Sequence, residues 1–300
     1  MVLVICPNLA VDYTLRVEKL EPGAVHRTAE YERQAGGKGA NTARTLIALG
    51  EKPVLCGFAG GPSGRFIEQD LAREGIATEL VPMRAENRTC VVVIDQQGNA
   101  TVLNEVGPTI HEAAALRALA GSMIPKSQAV ALMGSLPPGV PPDLYGELIR
   151  DCRQANIPCL VDATGPALES ALSTRPTYAK VNGDEAEALL GHPVEDWPAA
   201  ARTILKLGAD VVLITRGARA AFLASADGAA RLSPPSIPVV NPIGAGDALA
   251  GGLLVGHLRG LSLPESAKLG MAVAAASVQH GFGRVQAADI RPDRIELASV

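Results

Sequence analysis

A glycine-rich segment near the C-terminus combines residue types that could support a group-transfer reaction. Residues 241–248 read NPIGAGDA and directly precede a predicted long helix. The two glycines let the backbone approach a ligand closely, and unpaired N–H groups at a helix start can hold an anion. Asp247, in the first helical turn, could accept the proton of an attacking hydroxyl during phosphoryl transfer. Helix capping by Asp247 is the structural alternative.

A second glycine cluster, residues 35–41 (AGGKGAN), also enters a predicted helix. It does not match the P-loop pattern, because Gly39 follows Lys38 where a hydroxyl residue is required. No GxGxxG follows the first predicted strand, which argues against a dinucleotide-binding dehydrogenase. Lys38 beside bare backbone could hold a substrate oxygen or a phosphate. The alternative is a glycine-rich turn with a solvated lysine.

A third motif, residues 180–185 (KVNGDE), lies at a predicted strand-to-helix junction. Asn182 and Glu185 have the spacing of a capping box, and they could also act as outer ligands of Mg²⁺ and its waters. Residues 134–139 (GSLPPG) and 215–218 (TRGA) follow other predicted strands and could be ordinary turns. Because all these motifs follow strands, we expect them to form one composite site.

Short β-branched runs alternate with helical patterns, which indicates βαβ units and a parallel sheet covered on both faces. Such sheets bind ligands at the carboxyl ends of their strands. The predicted strands are 2–6, 53–58, 78–82, 128–133, 157–162, 177–181 and 210–215. The predicted helices lie near 39–49, 63–74, 111–121, 141–155, 183–190 and 197–208, and an Ala/Gly-rich helical region extends from 246 to 280.

Two parts of the chain break this pattern and predict a small additional sheet. Residues 11–18 and 26–34 alternate polar and apolar types without an intervening helix. Residues 89–95 and 100–105 flank a turn cluster and predict a hairpin. We expect one domain over residues 1–300, with a non-contiguous small sheet from about 11–34 and 88–106 that is either a lid or a structural addition.

The composition is typical of a globular protein and not of a general nucleic-acid binder. The 300 residues are 47% hydrophobic and 3% aromatic with a net charge of −4, so a basic excess and abundant stacking aromatics are both missing. Five cysteines without CxxC spacing predict buried free thiols in a reducing cytoplasm. The sequence predicts no signal peptide, membrane span or histidine-built metal site.

Taken in order, the motifs resemble those of the PfkB (ribokinase-like) family of carbohydrate kinases. The resemblance runs from residues 8–12 (NLAVD) through 36–41, 134–139 and 180–185 to 244–247, and it covers nearly the whole chain. Residues 37–39 (GKG) and 87–89 (NRT) are most similar to the hexose-phosphate branch, which includes 1-phosphofructokinase, minor-type 6-phosphofructokinase and tagatose-6-phosphate kinase. The resemblance implies a three-layer α/β/α fold with a mostly parallel sheet and a β lid that often forms a dimer interface.

The resemblance also implies roles for individual residues. Asp247 would be the catalytic base. The anion hole for the transferred phosphoryl group would consist of Gly244, Ala245 and Gly246. The sugar substrate would be bound by Asp12, Arg27, Gly37, Lys38, Asn41, Arg88 and Ser135, among which Arg27, Lys38 and Arg88 would grip a phosphate already on the sugar. The nucleotide would be bound by Lys180, Asn182, Thr215, Gly217 and Gln279.

The implied reaction is ATP-dependent phosphorylation of a hydroxyl of a ketohexose phosphate, with Mg²⁺ held by Asn182 and Glu185 through water. Fructose 1-phosphate, fructose 6-phosphate and tagatose 6-phosphate are the expected substrates. One alternative is a kinase of an unphosphorylated sugar or nucleoside. Such a substrate carries no phosphate charge for three converging cations to neutralise. Another is a non-catalytic sugar- or nucleotide-binding protein of the same fold. We expect a cytoplasmic homodimer formed through the lid, with no nucleic-acid or membrane partner.

Overall fold

Fourteen strands form two sheets in the computed structural model, which describes residues 1–280 and 284–300. The strands are β1 (Val2–Cys6), β2 (Ala10–Arg16), β3 (Tyr31–Gly36), β4 (Pro53–Ala59), β5 (Ala77–Pro82), β6 (Arg88–Ile94), β7 (Ala100–Asn104), β8 (Ala129–Met133), β9 (Cys159–Asp162), β10 (Tyr178–Asn182), β11 (Val211–Thr215), β12 (Ala221–Ser225), β13 (Gly228–Ser233) and β14 (Glu296–Ser299). The large sheet has the order β14-β13-β12-β11-β10-β9-β8-β1-β4-β5. Its strands from β11 to β5 are parallel, whereas β12, β13 and β14 pair antiparallel.

The parallel strands are apolar on both faces because helices cover both sides of the sheet. In β1, Val2 and Val4 pack into one hydrophobic cluster, and Leu3 and Ile5 pack into a second cluster on the opposite face. The helices are α1 (Lys38–Ala48), α2 (Gly61–Arg73), α3 (Ala113–Met123), α4 (Leu144–Gln154), α5 (Gly165–Leu172), α6 (Gly183–Leu190), α7 (Trp197–Leu205), α8 (Ala245–Leu258) and α9 (Leu263–Ser277). The predicted three-layer α/β/α fold is therefore confirmed.

The helical region expected from 246 to 280 forms two helices, α8 and α9, that pack closely. The chain turns after α8, and Ser262 starts α9 with a capping box to Glu265. A Cβ atom added at Gly252 would lie 2.8 Å from the Cα atom of Gly270 in α9. The small residues of this region thus let the two helix backbones approach each other.

The second sheet has four strands in the order β3-β2-β6-β7. Strands β6 and β7 form the predicted antiparallel hairpin, and β2 pairs with β3 antiparallel and with β6 in parallel. The strand expected over residues 26–34 begins only at Tyr31, and residues 17–30 form a loop. We call these four strands together with loop 17–30 the lid.

The end of β3 ties the lid to the large domain. The Ala35 N–H donates to Asp70 Oδ2 at 2.6 Å, and the Ala35 carbonyl accepts from the Arg44 guanidinium at 2.7 Å. Two residues earlier, the Arg33 guanidinium lies 3.9 Å from the centre of the Phe66 ring of α2. These contacts fix one end of the lid against α1 and α2.

Several elements were not predicted from the sequence: α5 and the three antiparallel strands β12, β13 and β14. The five cysteines are free and buried, as expected. Among residues 1–280 and 284–300, no helix combines the length and the apolar character that crossing a membrane requires.

Candidate active site

Asp247 lies at the buried start of α8, where its side chain is held by another helix. Gly244 precedes α8 with a φ of 84°, a left-handed conformation that glycine adopts without strain. The Asn41 side-chain amide of α1 donates to Asp247 Oδ2 at 2.9 Å. Thr42 Oγ1 donates to the Asp247 backbone carbonyl at 3.3 Å. Since its carboxylate is bonded to α1, helix capping alone does not account for the placement of Asp247.

The surroundings of Asp247 prepare it to exchange a proton near neutral pH. Burial, followed by the nearby Asp162 carboxylate, raises the pKa of Asp247 to about 7. The positive charges of Lys38 and Lys180 and the hydrogen bond from Asn41 oppose this rise. A general base works best when its pKa lies near the operating pH, so the position suits proton acceptance.

Two lysines share one buried carboxylate beside Asp247. Lys38 Nζ lies 2.5 Å from Asp162 Oδ1, and Lys180 Nζ lies 2.7 Å from Asp162 Oδ2. Burial alone would raise the pKa of Asp162, but Lys180 and Lys38 bring it below its ordinary value. Burial alone would lower the pKa of Lys38, but the nearby carboxylates of Asp162 and Glu185 raise it above its ordinary value. Asp162 and Lys38 therefore carry their charges at neutral pH.

The backbone at the start of α8 faces this cluster. The first N–H groups of a helix lack intrahelical partners, which makes the turn formed by Gly244, Ala245 and Gly246 a place for an anion. A Cβ atom added at Gly246 would lie 2.8 Å from Lys180 Nζ. The Lys180 ammonium therefore sits against the same backbone and adds positive charge beside the predicted anion hole.

Asn182 and Glu185 form the capping box of α6, and Glu185 also contacts the lysine cluster. Asn182 Oδ1 accepts from the Glu185 N–H at 2.8 Å, and Glu185 Oε2 accepts from the Asn182 N–H at 2.8 Å. Glu185 Oε1 accepts from Lys38 Nζ at 3.1 Å. No group of three His, Cys, Asp or Glu side chains that could hold a metal ion occurs in the described residues. This donor set fits a Mg²⁺ ion that keeps its waters and is held largely by phosphates.

Asp12 lies on β2 of the lid, directly opposite Gln34 of β3. A Cβ atom added at Gly36 would lie 2.0 Å from the Asp12 carboxyl group, so glycine is required there. Burial raises the pKa of Asp12 against the positive charges of Arg44 and Arg88. Gly37, with a φ of 99°, precedes α1 next to this carboxyl group.

Ser135 and Arg88 both contact Asn8, at the base of the lid: Ser135 contacts its side chain and Arg88 its backbone carbonyl. Asn8 Nδ2 donates to Ser135 Oγ at 3.0 Å. The Arg88 guanidinium donates to the backbone carbonyls of Asn8, at 3.2 Å, and Glu105, at 2.8 Å. Several donors of Arg88 are thus engaged in holding this part of the chain.

Arg27 lies apart from the other two predicted phosphate-binding cations. It is exposed in loop 17–30 and lines a cavity of about 1060 Å³ between the lid and the segment at Val239. Lys38 and Arg88 do not line this cavity. Arg27 is therefore not grouped with Lys38 and Arg88, and in the described residues the three cations do not form one preassembled clamp.

The predicted nucleotide-binding residues fall into three places. Asn182, Thr215 and Gly217 line one cavity of about 520 Å³ at the ends of β10 and β11. Gln279 lines a separate cavity of about 130 Å³, and its Nε2 donates to the Ala275 carbonyl at 3.2 Å. Lys180 belongs to the Asp162 cluster.

Asp162 and Arg44 belong to this site but were not predicted from the sequence. Asp162 ends the buried strand β9, and a carboxylate at the carboxyl end of a parallel strand is a signal that could have been used. Arg44 is buried in α1, donates to Asn41 Oδ1 at 3.2 Å and also holds the Ala35 carbonyl. It thereby links the amide that holds Asp247 to the fixed end of the lid.

Comparison with known proteins identifies the family of this chain and the solved structures that share its fold. The pfkB family of carbohydrate kinases matches residues 3–286. A "possible 1-phosphofructokinase" from Thermotoga maritima is 23% identical, with a TM-score of 0.90 over 100% of this chain and 99% of that protein. Phosphofructokinase-2 from Escherichia coli in complex with fructose-6-phosphate is 24% identical, with a TM-score of 0.83 over 93% of each chain. The match over nearly its full length shows that this chain belongs to the pfkB family of carbohydrate kinases.

Proposed function

We propose that this carbohydrate kinase transfers the γ-phosphoryl group of ATP to a hydroxyl of a ketohexose phosphate, with Asp247 as the base. The placement of Asp247 carries the proposal. Asp247 is 6% exposed, its carboxyl group is held by Asn41, and it lies at the start of the helix whose first turn can bind an anion. Phosphoryl transfer asks mainly for positioning and charge neutralisation, and this arrangement supplies both.

In the proposed reaction, Asp247 accepts the proton of the sugar hydroxyl as its oxygen bonds to the γ-phosphorus and the bond to ADP breaks. The N–H groups of Gly244, Ala245 and Gly246 hold the phosphoryl oxygens. Lys180, packed against Gly246, neutralises part of the developing charge. Asn182 and Glu185 would hold Mg²⁺ through its waters, and the ion would neutralise nucleotide phosphates. Asp162 keeps Lys180 and Lys38 in place.

The choice of a phosphorylated sugar rests on the cations near the lid and on the structural relatives. Lys38, Arg88 and Arg27 lie at α1, at the base of the lid and in loop 17–30. A phosphofructokinase-2 of the same fold binds fructose-6-phosphate. The sugar hydroxyls would be held by Asp12, Asn41 and Ser135, and the backbone near Gly37 allows close approach.

A second candidate, phosphorylation of an unphosphorylated sugar, is favoured by the charge balance of the site. Lys38 is paired with Asp162 and Glu185, and Arg88 donates to backbone carbonyls. Only Arg27 is left without such a partner among the described residues, in a cavity that the other two do not line. If these pairings persist with substrate bound, a sugar phosphate gains little from the cations.

A substrate panel distinguishes the two candidates. ADP release with Mg-ATP is measured for fructose 1-phosphate, fructose 6-phosphate, tagatose 6-phosphate, fructose, ribose and adenosine. Turnover confined to the phosphorylated sugars is expected, and turnover confined to neutral sugars or adenosine contradicts the choice of substrate. Asp247→Asn should lower kcat by about 10²- to 10⁴-fold, while Asp227→Asn, in an exposed turn between β12 and β13, should not. Near-normal turnover of Asp247→Asn would exclude it as the base.

We also propose a homodimer formed through the lid, in the cytoplasm. The lid exposes Tyr31 on β3 and Val102 and Leu103 on β7, which are the edge strands of its sheet. Apolar side chains on unpaired edge strands are suited to pairing with a second copy. Five free buried thiols fit a reducing compartment.

A further inference from the structure

The only tryptophan in the sequence, Trp197, stacks with an arginine of the loop that follows β11. The Arg216 guanidinium carbon lies 4.1 Å from the centre of the Trp197 ring. Trp197 itself is buried at the start of α7, whose capping residue Asp196 accepts from the Ala199 N–H at 3.0 Å. A planar guanidinium on a fixed aromatic face is held by a cation–π interaction. The loop residue is therefore oriented before any ligand arrives.

Arg216 faces the same cavity of about 520 Å³ that Asn182, Thr215 and Gly217 line. No ion pair of Arg216 with a carboxylate occurs within residues 1–280 and 284–300. Glu187 also lines the cavity, but its Oε1 accepts from the Val194 N–H at 3.0 Å. Asp184 is exposed in the first turn of α6, where the helix dipole favours its charge. A preoriented cation thus faces this cavity without an anionic partner.

We propose that Arg216, held on Trp197, binds a phosphate oxygen of the nucleotide and sets the preference for phosphorylated nucleotides. This proposal rests on the proposed kinase function and adds a residue to its nucleotide site. The guanidinium carbon lies over the ring, and no hydrogen bond from the Arg216 side chain occurs among residues 1–280 and 284–300, so its N–H donors remain available to a ligand. In-plane donors match the oxygens of a phosphate, whereas an uncharged base or ribose gives the positive charge nothing to neutralise.

Equilibrium binding separates a phosphate contact from a general effect on the site. ATP, ADP and adenosine are titrated by calorimetry against the wild type, Arg216→Ala and Arg216→Lys. Arg216→Ala should weaken the binding of ATP and ADP by about tenfold or more and leave adenosine binding unchanged, because only the first two carry phosphate. Arg216→Lys keeps the charge without the planar stack, so an intermediate loss is expected. Arg150→Ala, which removes an exposed arginine of α4 outside the cavity, is the matched control.

The tryptophan supplies a second readout. Because Trp197 is the only tryptophan, a change of its fluorescence on ATP addition should be seen in the wild type and should be weaker in Arg216→Ala. Trp197→Leu should weaken ATP binding less than Arg216→Ala does, since the cation remains without its platform. Circular dichroism is used to check that each variant is folded.

Several outcomes overturn the proposal: unchanged ATP affinity in Arg216→Ala, an equal loss for adenosine and ATP, or the same loss in Arg150→Ala. Asp247→Asn should retain ATP binding, which separates this contact from the catalytic step. If the wild type binds ATP but phosphorylates no sugar, the proposed function fails while the role of Arg216 is still decided by the affinity ratios. If the wild type binds neither ATP nor ADP, both proposals fail.

Discussion

Asp162 and Asp247 are neighbouring buried carboxylates whose surroundings shift their pKa values in opposite directions. Two lysines bind Asp162 and hold its pKa low, whereas burial raises the pKa of Asp247 although the neutral amide of Asn41 donates to it. Such separation marks one group as a permanent anion and the other as the group that exchanges a proton. The charge of Asp162 itself contributes to the raised pKa of Asp247.

We predict that kcat/KM rises with pH through about 7, because Asp247 must lose its proton before it can act as the base and its pKa is about 7. With this pKa, Asp247 is about 1% ionised at pH 5 and about 99% ionised at pH 9. The profile of kcat/KM for the sugar phosphate against pH, recorded with saturating Mg-ATP, measures this limb for the nucleotide-bound enzyme. A profile that is flat between pH 5 and 8 would contradict the assignment.

We predict that Asp162→Asn lowers the free energy of unfolding by about 3–5 kcal/mol, because Lys38 and Lys180 lose their shared buried counter-charge. Urea unfolding followed by circular dichroism measures the loss. Asp210→Asn is the matched control, since Asp210 also bridges two cations, Arg153 and Arg175, but in partly exposed positions. We expect the control to lose about 0–1 kcal/mol. Equal losses in the two variants would show that the buried cluster is not a major source of stability.

At the scale of elements, the contact between α8 and α9 fixes the helix whose first turn carries Asp247. Gly252 faces Gly270 across this contact, and Gly256 faces Ser266, with the backbones too close for an additional methyl group. Displacement of α9 from α8 would shift the helix that carries the proposed base.

We predict that Gly252→Ala destabilises the protein by about 1–3 kcal/mol, because the added methyl group would lie 2.8 Å from the Gly270 backbone. Thermal unfolding measures the effect. Gly121→Ala in α3 is the control, since its added methyl group meets no backbone but only the partly exposed side-chain ends of Arg117 and Asp151, and alanine favours a helix. That variant should be neutral or slightly more stable. A Gly252→Ala protein as stable as the wild type would mean that the helices can separate at little cost.

Much of the large sheet could be predicted from sequence because buried parallel strands are short, apolar runs separated by helices. The antiparallel strands β13 and β14 lack this signal, because β13 is partly exposed and β14 mostly so. Strand β12 is buried and apolar, but no helix separates it from β11, so it does not continue the alternation of strands and helices. Helix α5 is only eight residues long, so its periodicity is weak. Asp162 could have been suspected from its place at a strand end, but its pairing with Lys38 joins residues 124 positions apart, and such a pairing is set by the tertiary fold.

At the scale of the whole molecule, the lid is a sheet with two open edges. Leu103 is 62% exposed on the edge strand β7, and Tyr31 is 68% exposed on the opposite edge strand β3. Monomeric proteins usually protect such edges with charges or bulges. The exposure of these side chains favours the proposed dimer.

We predict that Leu103→Glu shifts the protein to a monomer, because a charge on the edge strand opposes pairing with a second copy. Analytical ultracentrifugation of the wild type and the variant over a range of concentrations measures the change. Leu207→Glu, an exposed leucine after α7 and outside the lid, is the control and should leave the assembly unchanged. A wild-type protein that sediments as a monomer at high concentration would exclude the proposed interface.

The hydrogen bonds of Ala35 with Asp70 and Arg44 hold one end of the lid in place, so a rotation of the lid would take that end as its pivot. Ala35 lies opposite the start of β2, and the far end of that seven-residue strand is about 20 Å away. A rotation of about 10° around the pivot would carry that end through about 3–4 Å but would move Asp12 by only about 1 Å. Contacts of Asp12 with a ligand would thus persist through opening and closing. The distance from Arg27 to the large domain would measure how far the enzyme has closed.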